Sequence, residues 1–154
     1  MLILGIDPGS TITACGIIDS LSKRTIFDYI KLKRNLNQND KIYSVYRFIQ
    51  EVVREFQPEE VAIETPFYSV NIQSAMLLSE IKAASIIAAK QEGLTVFQYT
   101  PRQIKQAICG YGAADKSQIR FVVEKTLKLD LKELPFDVSD AIAVALTHIY
   151  TRQL

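Results

Sequence analysis

Apolar positions along this chain fall into short runs and helical stripes that alternate from one end to the other. LILGID, residues 2–7, is an apolar run closed by an acid and then by Pro8-Gly9, the pattern of a buried strand entering a turn. Residues 12–20 and 25–32 predict two more strands around a polar turn at Ser22, Lys23 and Arg24, giving an antiparallel meander of three. Ile42, Val45, Ile49, Val52, Val53 and Phe56 then recur at helical spacing, with Asp40 as the expected cap and a stop near Pro58. VAIE at 61–64 reads as a fourth buried strand, ended by Thr65-Pro66. A long helix is expected between Ser69 and Gly93, TVFQY is a fifth strand, and Pro101 opens a short helix before the GYGAAD loop. Asp115 or Ser117 starts another helix reaching Leu127, and the last is expected from Val138 to Tyr150.

This order predicts an α/β fold with a mixed five-stranded sheet flanked by helices. No linker, repeat or low-complexity tract divides residues 1–154, so one domain is expected. The helix over 71–90 stands out because Ile72, Ala75, Met76, Leu77, Leu78, Ile81, Ile86 and Ile87 leave it little polar face. Such a helix must be covered on more than one side, by neighbours in its own chain or by a second subunit.

Composition adds bounds. The chain is 48% hydrophobic and 23% charged, ordinary for a globular protein. No apolar stretch is expected to reach the roughly 18 residues of a membrane span, and MLILGIDPGS lacks the basic start and cleavage site of a signal peptide. The expected location is cytoplasmic. Cys15 and Cys109 are too few and too far apart for a metal knuckle, so reduced, partly buried thiols are expected. Net charge is only +1, yet six bases and two acids fall in 99–128, while two bases and four acids follow in 129–154. A basic segment beside an acidic one fits a phosphate-binding surface next to a metal site, and equally an unevenly charged solvated face.

The acids carry the sharper signal. Asp7 and Glu64 each end an apolar strand just before a turn, at the sheet edge where pockets form. Asp137 and Asp140, spaced i, i+3 at the start of the last helix, share one face, although acids there also serve as caps. Four converging carboxylates raise one another's pKa, and hard divalent cations relieve that repulsion. Two such ions roughly 4 Å apart can activate water and stabilise the leaving oxygen of a phosphoryl displacement. With no paired His or Cys nucleophile in view, metal-activated water is the natural attacking group. His148 lies eleven positions after Asp137, roughly 16 Å along the helix, so packing is its expected role.

Together, LGIDPGS, VAIETPF, PRQIKQAICGYGAADKSQI and DVSDAIAVALTHI, in this order, resemble the RuvC family of bacterial Holliday-junction resolvases over nearly the whole chain. The resemblance implies an RNase H-like fold and a homodimer that nicks two strands of a four-way junction symmetrically with Mg²⁺ or Mn²⁺. A RuvA–RuvB branch-migration complex is the partner it suggests. By position, Asp7, Glu64, Asp137 and Asp140 match the family's metal-binding acids, although some relatives carry His at the last place. Lys105 and Lys116 match lysines implicated in phosphate contact and catalysis. Phe67 matches an aromatic that stacks on bases near the crossover, with Tyr68 as its rival. Three other readings compete: a YqgF-type nuclease acting on RNA precursors, a catalytically silent junction binder, and an actin-like ATPase suggested by GIDPGSTIT. The last needs two such lobes, well beyond this length.

Overall fold

The computed structural model describes residues 1–65 and 71–154. Five strands, β1 (Leu2–Asp7), β2 (Ile12–Asp19), β3 (Thr25–Lys31), β4 (Glu60–Glu64) and β5 (Thr95–Tyr99), form one sheet in the order β3-β2-β1-β4-β5. The meander β1-β2-β3 is antiparallel, while β4 and β5 join parallel to β1. The expected mixed five-stranded sheet is therefore the one observed.

Helices α1 (Gln38–Phe56) and α2 (Ile72–Gln91) cover one face. The other face carries α3 (Pro101–Cys109), α4 (Lys116–Leu127) and α5 (Phe136–Arg152). Because side chains alternate along a strand, each strand feeds both cores. Leu4, Ile6, Val61 and Ile63 point toward α1 and α2, whereas Ile3, Ala14, Ile18 and Ala62 point toward α5.

Helix α5 lies directly against β1 and β2, and every residue from Val138 to Ile149 is buried. Two glycines admit it. A Cβ on Gly5 would stand 2.2 Å from the Ala141 carbonyl oxygen and 2.6 Å from the Ala145 nitrogen; one on Gly16 would meet Ile142 at 2.7 Å. Helix and sheet backbones thus touch where any larger residue would hold them apart.

Several helix starts differ from expectation. Asn37, not Asp40, caps α1, its side chain accepting from the Asp40 amide at 2.8 Å. Asp40 sits in the first turn instead, accepting from the Asn37 side chain at 2.8 Å. Both residues are good caps, and the choice fell to the earlier one because the helix extends further toward the N-terminus. Asp115 caps α4, sharing a reciprocal hydrogen-bond pair with Gln118. Helix α5 begins two residues before Val138, with Pro135 at its cap position and no side-chain cap.

Helix α2 corrects the expectation that no stretch is long and apolar enough to span a membrane, since by length and composition this helix qualifies. Its surroundings are those of a packed helix on one side only. Ile81, Ala84, Ser85, Ala88 and Ala89 are buried, Glu80 bonds Gln38 of α1, and Lys82 donates to Gln98 of β5 at 2.6 Å. Ile72, Met76 and Ile87 form a stripe on the opposite side and are 74%, 57% and 54% exposed. Among the described residues, nothing covers this second side.

His148 packs as expected, buried between Tyr99 and Glu60 at 2.8 and 2.7 Å, with Arg152 3.3 Å from the same glutamate. Both cysteines are free thiols, and burial raises the pKa of each.

Since the α5 contact admits no Cβ, Gly5→Ala is expected to destabilise the protein by roughly 1–3 kcal/mol through overpacking. Urea unfolding measures this, and an unchanged midpoint would mean that α5 is free to shift.

Candidate active site

The register Ile6↔Ile63 places the next residues, Asp7 and Glu64, side by side at the carboxyl ends of two parallel strands. Period-two alternation puts both on the face that α5 covers, continuing the rows Ile3-Gly5-Asp7 and Glu60-Ala62-Glu64. Helix α5 runs back along these rows, so its first turn stands at the acid end and His148 at the Glu60 end. Asp7, Glu64, Asp137 and Asp140 consequently line one cleft of about 260 Å³, together with Pro101, Ile104, Lys105, Lys116 and Ile119. The tertiary fold thus gathers four acids and two lysines singled out in the sequence. Phe67 and Tyr68 lie outside the described residues.

Neither α5 acid caps the helix, although Asp137 lies in its first turn, where a negative charge also suits the helix dipole. Asp140 is nearly buried, and its Oδ1 has no hydrogen-bond partner among the described residues. Its other oxygen stands 3.5 Å from the Lys116 ammonium, whose side chain is 66% exposed. So open an ion pair adds little to stability. What it provides is a cation facing an acidic wall.

Burial and the other acids push the cleft carboxyls upward. Asp7 is raised by burial first, then by the charges of Glu64, Asp140 and Asp137. Glu64 is pushed up to about 7 by burial and Asp140, with Lys116 and Lys105 opposing. Asp140 rises through burial despite Lys116 and Arg120. For Lys116, burial disfavours the charge, yet Asp140, Asp7 and Asp137 outweigh it and raise the ammonium's pKa.

Hard oxygen donors, mutual repulsion and the unpartnered Asp140 oxygen fit a divalent cation. Among the described residues, no three His, Cys, Asp or Glu side chains are already gathered to enclose an ion. The acids nonetheless share a cleft and act on one another electrostatically. An open site of this kind suits an ion that keeps waters and completes its shell with phosphate oxygens.

In the sequence Arg120 stands out only by its charge. It follows Lys116 by four positions on α4, the helical spacing of one face, and reaches the start of α5. That spacing was the available signal, but only the packing of α4 on α5 gives it a target.

Ionising the raised carboxyls costs more in the folded protein than in the unfolded chain, so the folded state holds more protons between the two pKa values. Their contribution to stability is therefore lost as pH rises from the ordinary carboxylate range to about 7 for Glu64. In divalent-free buffer, Glu64→Gln should be less destabilised than wild type by that pH rise. Thermal melts across the window test this, and parallel pH profiles for the two proteins would contradict it.

Known proteins give the arrangement its relatives. Residues 3–148 match the family described as crossover junction endodeoxyribonuclease RuvC. A relative of that name from Alkaliphilus oremlandii is 38% identical over 154 residues, covering 98% of this chain and 94% of its own. One from Pseudomonas aeruginosa is 40% identical, covering 99% and 88%. The solved structure of Thermus thermophilus RuvC superimposes with a TM-score of 0.88 at 30% identity, covering 99% of this chain and 96% of that one. The same protein in complex with Holliday junction substrate gives a TM-score of 0.88 at 28% identity, covering 99% and 95%. The family match spans nearly the full length and the relatives are 34–40% identical, and the chain belongs to the RuvC family of crossover junction endodeoxyribonucleases.

Proposed function

We propose that this chain is a structure-specific endonuclease that resolves four-way DNA junctions by paired symmetric nicks. The observation that carries the reading is the single cleft in which strand ends and a helix start bring four carboxylates under two lysines. Asp7, Glu64, Asp137 and Asp140 would hold divalent ions, Mg²⁺ with Mn²⁺ as substitute. Bound there, such ions supply an activated water and neutralise charge at the leaving oxygen.

The chain's own groups do the rest. Repulsion among the acids leaves the cleft short of positive charge, so a cation and the phosphate it accompanies are drawn in together. Lys116, kept charged by three acids and largely exposed, is placed to meet a non-bridging phosphate oxygen. Lys105 flanks Glu64 and adds a second positive group. Phe67 remains the sequence-based candidate for stacking at the crossover, and cytoplasm the proposed location.

Symmetric nicking requires two such clefts, so the acting form in this reading is a homodimer, with a RuvA–RuvB complex as its partner. The exposed Ile72-Met76-Ile87 stripe of α2 supports the dimer.

Asp7→Asn should abolish Mg²⁺-dependent nicking of a synthetic mobile junction while leaving junction binding largely intact. Undiminished cleavage would overturn the assignment, and equal activity on an RNA–DNA hybrid would favour an RNA-processing nuclease. Sedimentation should show a dimer that Met76→Lys weakens, whereas a concentration-independent monomer would rule out the paired mechanism.

A further inference from the structure

We propose that Arg120 is a positioning residue that fixes where the Asp137 and Asp140 carboxylates stand. The inference rests on the reading of the cleft as a metal site and goes beyond it. Helix α5 starts without a side-chain cap, immediately after the loop that ends in Leu134-Pro135. Something else must hold its first turn, on which both acids depend.

Arg120 reaches across from α4 and makes three contacts there. Its Nη2 donates to the Leu134 carbonyl at 2.9 Å, and its Nε approaches Ser139 Oγ at 3.4 Å. Its guanidinium carbon stands 3.9 Å from the centre of the Phe136 ring. The Ser139 hydroxyl in turn donates to the Phe136 carbonyl at 2.7 Å, closing the group on itself. These contacts bracket Asp137 from both sides and end on the residue before Asp140.

Two further points separate clamp from charge. Arg120 is absent from the cleft lining, so beyond the effect of its charge on Asp140 it acts through the backbone it grips and does not touch a substrate there. A cation at a helix start also opposes the helix dipole, so electrostatics alone would not favour it at this place. Only a planar fork can donate in two directions and stack on a ring at once, and lysine cannot replace it.

The test is Mn²⁺ binding to the DNA-free full-length protein, followed by calorimetry below the melting temperature of every variant. Arg120→Gln and Arg120→Lys should each weaken Mn²⁺ binding by roughly tenfold, the scale for groups that orient metal ligands. Junction binding in EDTA should be unchanged. The sign is informative, because removing a positive charge near a cation site would otherwise tighten binding. Ser139→Ala, which deletes only the longer contact, should weaken Mn²⁺ less and keeps the test open should the Gln variant not fold. Equal or tighter binding by Arg120→Gln, or wild-type binding by Arg120→Lys, would overturn the clamp. A wild-type protein that binds no Mn²⁺ would instead remove the metal reading on which it rests.

Discussion

Everything in the cleft depends on how closely α5 lies on the sheet. At Gly5 and Gly16 the helix backbone occupies space that any side chain would fill, so its height over β1 and β2 is set by backbone contact. Side chains can be repacked, but a backbone contact leaves little slack. With that height fixed, Asp137 and Asp140 come down beside Asp7 and Glu64, and His148 comes down beside Glu60 at the other end of the same strand. The bonds of His148 to Glu60 and Tyr99 then secure the far end of the helix.

The acids themselves oppose the fold. Asp7, Glu64 and Asp140 all resist ionisation in the folded protein, so charging them costs stability that the surrounding core must supply. In the proposed reading, that cost is what a bound divalent cation would relieve. Helix α4 serves the same region twice, presenting Lys116 to the acids and Arg120 to the start of the helix that carries two of them. Arg120 is the more deeply engaged of the pair, while Lys116 remains open to solvent and to whatever enters the cleft.

Helix α2 shows a different division. Its inner side is satisfied by α1 and the sheet, and its outer stripe of Ile72, Met76 and Ile87 is exposed among the described residues. An apolar helix near a surface is a membrane span, an interface or a liability by composition alone. The polar anchors from Glu80 to α1 and from Lys82 to β5 show that its inner side is committed to this protein.

The strands and their types were legible from the sequence because apolar runs and turn residues act locally. Helix boundaries were less so: Asn37 and Asp40 are equally able caps, and no local rule chooses between them. Asp7 and Glu64 could be paired by their matching strand-end positions and Asp137 and Asp140 by their i, i+3 spacing, which the resemblance of whole segments reinforced while adding Lys105 and Lys116. Which face those acids share depends on strand register, a property of two segments nearly sixty residues apart, and so only the folded sheet decides it. Arg120 was invisible for the same reason, since its partners, a carbonyl, a hydroxyl and a ring, lie on another helix. The sequence by itself determined the elements and the candidate acids, through periodicity and residue chemistry. Tertiary structure decided their convergence, because backbone contact at Gly5 and Gly16 sets the one distance that local patterns do not encode.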